Sequence, residues 1–124
     1  MGIGVSIVGS GHTQFGRLQE NLEQLIVAAS QEALQEAGIT GNEVDAVFLG
    51  HFNTSMAADA FASSLILQAD AGLRFKPATR FENACASGAA AVYAAIDAIQ
   101  SGRIEVALVV GVEKMTHNDT AGVT

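Results

Sequence analysis

The sequence predicts an α/β fold: a doubly wound, mostly parallel sheet in the order β-α-β-α-β-α-β. Three observations carry this expectation. Short apolar, β-branched runs alternate with longer stretches patterned at helical spacing. Each helical stretch stops at a glycine: Gly38, Gly72 or Gly102. The run Glu105–Gly111 (EVALVVG) is continuously apolar after its glutamate, as in a strand covered on both faces.

Taken in order, Ile3–Gly9 (IGVSIVG) reads as the first strand, with apolar residues at 3, 5 and 7. Gly9-Ser10-Gly11 then suggests a dinucleotide fingerprint. Its third glycine would fall at Gln14, and the next helix starts too late to offer a phosphate its N-terminus, so that reading is set aside. Asn21 to Ala37 is amphipathic: Leu22, Leu25, Ile26, Ala29, Ala33, Leu34 and Ala37 form one stripe, and Asn21 with Gln24 resembles a capping box. Val44–Gly50 is the second strand. The loop His51–Ser55 leaves its carboxyl end, the edge where open α/β sheets bind ligands, which marks His51 and Asn53, although a loop histidine is more often simply solvated. A second helix is expected over roughly 59–71, turning Phe61, Leu65, Ile66 and Ala69 inward. In the flank Gly72–Pro77, Arg74 and Lys76 suit helix capping as well as an anion.

Composition narrows the classes. A chain of 124 residues buries roughly two thirds of its unfolded surface, enough for a core. Thirteen acidic against six basic side chains, net −7, argue against nucleic-acid binding. No run reaches the ~18 apolar residues of a membrane span, and no basic stretch precedes the short apolar run at the start, so neither a span nor a secretory signal is expected. Met1–Ser6 fits the N-myristoylation pattern, but the same residues read better as the start of a buried strand. The single cysteine excludes an internal disulfide framework and fits a reducing compartment, so a cytoplasmic location is expected.

That cysteine, Cys85, lies in Thr79–Gly88 (TRFENACASG), where a short strand passes into an alanine-rich helix expected over 85–101. On the first turn its sulfur would face unpaired N–H groups and the positive end of the helix dipole, which favour the nucleophilic thiolate. The helix carries one charge, Asp97, before Gly102, so it is expected to be buried all round and to mount Cys85 rigidly. A lone cysteine before such a helix is equally well read as a small buried hydrophobe.

Glu82–Gly88 (ENACASG), the alanine-rich helix, Gly102-Arg103 and then Leu108–Thr116 (LVVGVEKMT) together resemble the amino-terminal part of a thiolase. The similarity is to the sterol-carrier-protein-type and acetyl-CoA acetyltransferase branch. The opening Ile7–Gly16 (IVGSGHTQFG) resembles the family's first strand and loop. Val112 and Lys114 depart from the family's Gly-Gly-x-Glu-Ser-Met-Ser stretch. The resemblance implies the N-terminal half-domain of the thiolase fold over residues 1–117, with 118–124 starting a cap subdomain or a tail. It implies an acyltransferase in which Cys85 attacks an acyl-CoA thioester, becomes S-acylated, and passes the acyl group on by Claisen condensation or thiolysis. The N–H of Cys85 would help stabilise the oxyanion. Coenzyme A enters as substrate; no metal or resident cofactor is implied.

The departures matter too. Thiolases take an activating histidine and a second acid/base cysteine from a duplicated second half. A chain with one cysteine cannot fill the second role, and His12, His51 and His117 lie outside the family's Gly-His-Pro or Cys-x-Gly contexts. The chain is therefore expected to be a fragment, inactive in full turnover, completed by a C-terminal half that is missing or on a separate polypeptide. The resemblance also implies a homodimer, or dimer of dimers, through the 79–83 strand. Alternatives are a ketoacyl synthase or hydroxymethylglutaryl-CoA synthase, or a non-catalytic dimer-forming or lipid-carrier-partner module.

Overall fold

The computed structural model describes residues 3–52 and 61–115. Asn53, His117 and the expected tail 118–124 lie outside them. Asn21 caps the first helix, α1 (Leu22–Ala37), through the expected box: its side chain accepts the Gln24 N–H, and the Gln24 side chain accepts the Asn21 N–H. Gly38 ends the helix in the left-handed conformation, φ 71°. Leu22, Ile26, Ser30 and Leu34, four residues apart, form the buried stripe.

Three parallel strands form the sheet: β1 (Ala46–Gly50) in the centre, β2 (Ala78–Phe81) on one side and β3 (Ala107–Gly111) on the other. All five residues of β1 are buried, and they alternate between two cores. Val47 and Leu49 join Ile26, Ile66, Leu73, Leu108 and Val110 on the face covered by α1 and the 3₁₀ helix Ala62–Ala69. Ala46 and Phe48 join Ala91, Ala95, Ala98 and Ile104 on the face covered by the second α-helix, α2 (Ser87–Gln100). Helices on both faces of a parallel sheet are the expected doubly wound arrangement. Each fully buried Leu or Ile in these cores contributes about 1.5–3 kcal/mol.

Six expectations are corrected. Ile3–Gly9 forms no strand. Apolar alternation suits a pleat, but a strand also needs a neighbour for its N–H and C=O groups. The segment runs instead beside α1: a Cβ on Gly9 would stand 2.5 Å from the Ala33 carbonyl oxygen, and Ser10 bonds the Glu36 carboxylate. Ile7 and Val8 are left exposed.

Of the helix expected at 59–71, residues 59 and 60 lie outside the described residues, and the rest forms a 3₁₀ helix, Ala62–Ala69, followed by a 3₁₀ turn, Ala71–Leu73. Phe61 does not face the core; it precedes the helix at φ 57° and is exposed. Gly72 abuts Asn42, where a Cβ would stand 2.5 Å from the backbone nitrogen, so its need for glycine is steric and not that of a helix stop.

Cys85 is not on the first turn of its helix. α2 begins at Ser87 with Ala86 as N-cap, which places the cysteine in the turn before it. Nor is α2 buried all round. Ser87, Ala91, Ala95 and Ala98 face the sheet, whereas Ala89, Val92 and Tyr93 are exposed, because the described residues cover only one side of it.

Candidate active site

The three strands end level. Gly50 is in register with Phe81 on one side and Gly111 on the other, so the segments beginning at His51, Glu82 and Val112 leave the carboxyl edge side by side. Of these endpoints, Gly50 is a glycine for a packing reason. A Cβ on Gly50 would stand 2.6 Å from the Ser87 carbonyl oxygen and 2.8 Å from Gly88, and Gly111 also faces Gly88. The tip of α2 is thereby seated directly on the ends of β1 and β3.

Between β2 and α2 the chain makes a tight turn held by its own polar groups. Ala84 adopts φ 48°, an uncommon conformation for a residue with a side chain. The Glu82 carboxylate accepts the Ala84 N–H at 2.6 Å, and the Ser87 hydroxyl accepts the Asn83 N–H at 2.8 Å while donating to the Ala84 carbonyl at 2.7 Å. Ala86 N–H donates to Asn83 and Ser87 N–H to Ala84, closing the turn. Cys85 stands at its crest, exposed and not disulfide-bonded. The side chain of Ala86 cannot accept a hydrogen bond, so it leaves the first-turn N–H groups of α2 without a side-chain cap. The positive end of the helix is presented beside the sulfur. Exposure removes the reading of Cys85 as a buried hydrophobe.

A cavity of about 210 Å³ opens here. Its lining joins residues of the Cys85 turn and the α2 tip (Ala84, Cys85, Ser87 and Gly88) to residues at or after the ends of β1 and β3, among them Phe52, Val112 and Glu113. An exposed thiol facing a recess next to a helix N-terminus can attack a carbonyl carbon placed in that recess.

His51 is not solvated, as a loop histidine commonly is. It is fully buried, and it ties the three strand ends together. Its backbone N–H donates to Phe81, its carbonyl accepts from the Arg80 guanidinium at 2.7 Å, and its Nδ1 lies 3.0 Å from the Val112 carbonyl oxygen and 3.2 Å from Glu113 Oε2. The other Glu113 oxygen accepts the Phe52 N–H at 2.6 Å. Sequence reasoning missed Glu113 and Phe52 as parts of the site, and it missed the three-glycine contact. The available signal was that both apolar runs, Val44–Gly50 and Glu105–Gly111, end in glycine. Among the described residues no three His, Cys, Asp or Glu side chains gather as a metal site, and no helix is long and apolar enough to cross a membrane.

Comparison with known proteins agrees with this geometry. Residues 5–124 match the family described as Thiolase, N-terminal domain. An acetyl-CoA acetyltransferase of Methanocaldococcus jannaschii is 40% identical over 113 residues, which is 90% of this chain and 29% of the relative. Among solved structures, the acetyl-CoA acetyltransferase of Syntrophomonas wolfei has a TM-score of 0.75 at 20% identity, over 95% of this chain and 32% of its own, a likeness of fold. The 3-oxoacyl-[acyl-carrier-protein] synthase III of Aquifex aeolicus VF5 has a TM-score of 0.68 at 26% identity, over 80% of this chain and 32% of its own. The chain thus spans roughly 30% of the length of these proteins.

Proposed function

The chain belongs to the thiolase family, matched along its N-terminal domain, and from that premise we propose that it carries the nucleophile of an acyl-CoA acyltransferase. The observation that carries the reading is Cys85 exposed on the crest of a tight turn, beside the N-terminus of α2 and on the wall of a cavity. Cys85 Sγ attacks the thioester carbonyl carbon. The N–H groups at the helix tip stabilise the tetrahedral oxyanion; the carbon–sulfur bond to coenzyme A breaks, and the leaving thiolate takes up a proton. The S-acyl group then passes to the carbanion of a second acyl-CoA, forming a carbon–carbon bond and freeing the Cys85 thiolate. In the thiolytic direction Cys85 instead attacks the 3-keto carbon of a 3-ketoacyl-CoA, the carbon–carbon bond breaks, the acetyl-CoA carbanion takes up a proton, and coenzyme A thiolate then takes the acyl group from Cys85.

Neither a partner base nor a second cysteine is brought to Cys85 by the described residues. Complete turnover therefore depends on sequence equivalent to the remainder of the relatives, in the same polypeptide or in another. Among the described residues β2 forms an edge of the sheet with Thr79 and Arg80 exposed, which suits pairing with a second copy, although the strand ends at Phe81 and the 82–83 part of the expected 79–83 strand lies in the turn. An exposed free thiol fits a reducing compartment, and the proposed location is the cytoplasm. A second reading, a ketoacyl-synthase-type condensing enzyme, is favoured by the synthase III likeness and uses the same acylated cysteine with a carrier-bound acceptor.

Two measurements test the proposal. Cys85 is expected to alkylate with iodoacetamide faster than a free thiol near neutral pH; ordinary or slower reactivity counts against a nucleophile. Residues 1–124 alone are expected to show no sustained acetoacetyl-CoA thiolysis, and turnover without added polypeptide would overturn the dependence on further sequence.

A further inference from the structure

The mechanism above leaves one buried side chain of the site without a task. His51 is 0% exposed, and both atoms facing its Nδ1, the Val112 carbonyl oxygen and Glu113 Oε2, are acceptors. Nδ1 therefore carries the hydrogen, and in the neutral ring Nε2 is a bare lone pair; Nε2 is buried and makes no hydrogen bond among the described residues. Free imidazole needs no such arrangement. The surroundings select it, since the opposite tautomer would set the Nδ1 lone pair against two acceptors.

Glu113 completes the connection. One of its oxygens faces His51 Nδ1 and the other accepts the Phe52 N–H, so a single carboxylate spans the first two residues after β1. Phe52, Val112 and Glu113 line the same cavity as Cys85. We propose that His51 and Glu113 are positioning residues, a latch between the segments following β1 and β3 that fixes the Phe52, Val112 and Glu113 part of the Cys85 cavity lining against the incoming acyl group. The proposal rests on the acyl-transfer reading for its purpose, though not for its geometry. Displacing a reacting group by about 1 Å costs on the order of a hundredfold in rate, so a lining set by two hydrogen bonds and a 3.2 Å imidazole–carboxylate contact is a lever on acyl transfer.

The test compares His51→Asn, whose amide nitrogen can replace the Nδ1–H donor, with His51→Leu, which cannot, and with Glu113→Gln at a partly exposed position that keeps the shape. The chain, supplemented with the remaining thiolase sequence, is given acetyl-CoA, and the maximal rate of Cys85 S-acetylation is measured beside the rate of iodoacetamide alkylation. S-acetylation is expected to fall on the order of tenfold or more in His51→Leu and Glu113→Gln, and to recover in His51→Asn. Alkylation, which needs no acyl recognition, is expected to change far less. Equal impairment in His51→Asn and His51→Leu, or parallel losses in both reactions, would overturn the latch. Nitrogen-15 NMR of the unmodified chain gives an independent readout: Nδ1–H is expected on His51, with a Phe52 amide proton far downfield that shifts in Glu113→Gln. An Nε2–H tautomer, or a Phe52 resonance indifferent to Glu113, also overturns it. Absence of any acetyl adduct on the wild type sinks the acyl-transfer reading, and the NMR arm still decides the latch.

Discussion

Gly50 and Ser87 approach so closely that a side-chain carbon on Gly50 would stand 2.6 Å from the Ser87 carbonyl oxygen. The end of the central strand and the start of the helix after Cys85 are thus in backbone contact. Gly50→Ala must push α2 off the sheet or distort β1. We expect it to destabilise the fold by about 1–3 kcal/mol in a urea titration and to change the alkylation rate of Cys85. A variant as stable and as reactive as the parent would show that the contact does not seat the cysteine.

Asp45 joins two strands at the opposite edge. Its carboxylate accepts the Glu105 N–H at 2.8 Å and the Val106 N–H at 3.0 Å, and these bonds, the Glu105 one foremost, hold its pKa below the ordinary 3.8. The folded value being the lower one, this contribution is present above 3.8 and is lost as pH falls below it, through the folded pKa. Asp45 is exposed, so screening by water keeps the effect modest. Asp45→Asn is expected to flatten the decline of the urea midpoint in that acid window; an unchanged decline refutes the assignment.

Ser30 is the polar interruption of the buried stripe on α1. It is 1% exposed, and its hydroxyl makes no hydrogen bond among the described residues. Ser30→Ala removes an unsatisfied group and raises helix propensity, so a gain of about 1 kcal/mol is expected by denaturant titration. A loss of stability of that size would mean that the hydroxyl has a partner after all.

Leu49 is wholly buried at the centre of the sheet, within the core shared by α1 and the 3₁₀ helix Ala62–Ala69. Leu49→Ala is expected to cost about 2–5 kcal/mol, whereas Val92→Ala on the exposed side of α2 should cost far less. Equal losses at the two positions would argue that α2 is covered on both faces in solution.

The parts of this fold legible in the sequence are those with a local cause. Asn21, Gln24 and Gly38 announce α1 because capping is settled within a few residues, and continuous apolar runs announce β1 and β3. Ile3–Gly9 misled because alternation describes one strand's faces and is silent on whether a neighbour takes its hydrogen bonds. Phe61 misled because a left-handed backbone angle took it out of the helical stripe. At the site, the position of Cys85 ahead of a helix was readable to within two residues. His51 and Glu113, 62 positions apart, are joined only by the pairing of β1 with β3, and no local pattern reports such a contact.

The central claim is that the acyl group travels on one sulfur. Its most direct test is to incubate the chain with acetyl-CoA in the presence of the remaining thiolase sequence, quench in acid, and map the adduct by peptide mass spectrometry. The account predicts an acetyl group on the peptide bearing Cys85, lost in Cys85→Ser. An adduct that persists in Cys85→Ser, or that maps to another peptide, would contradict it.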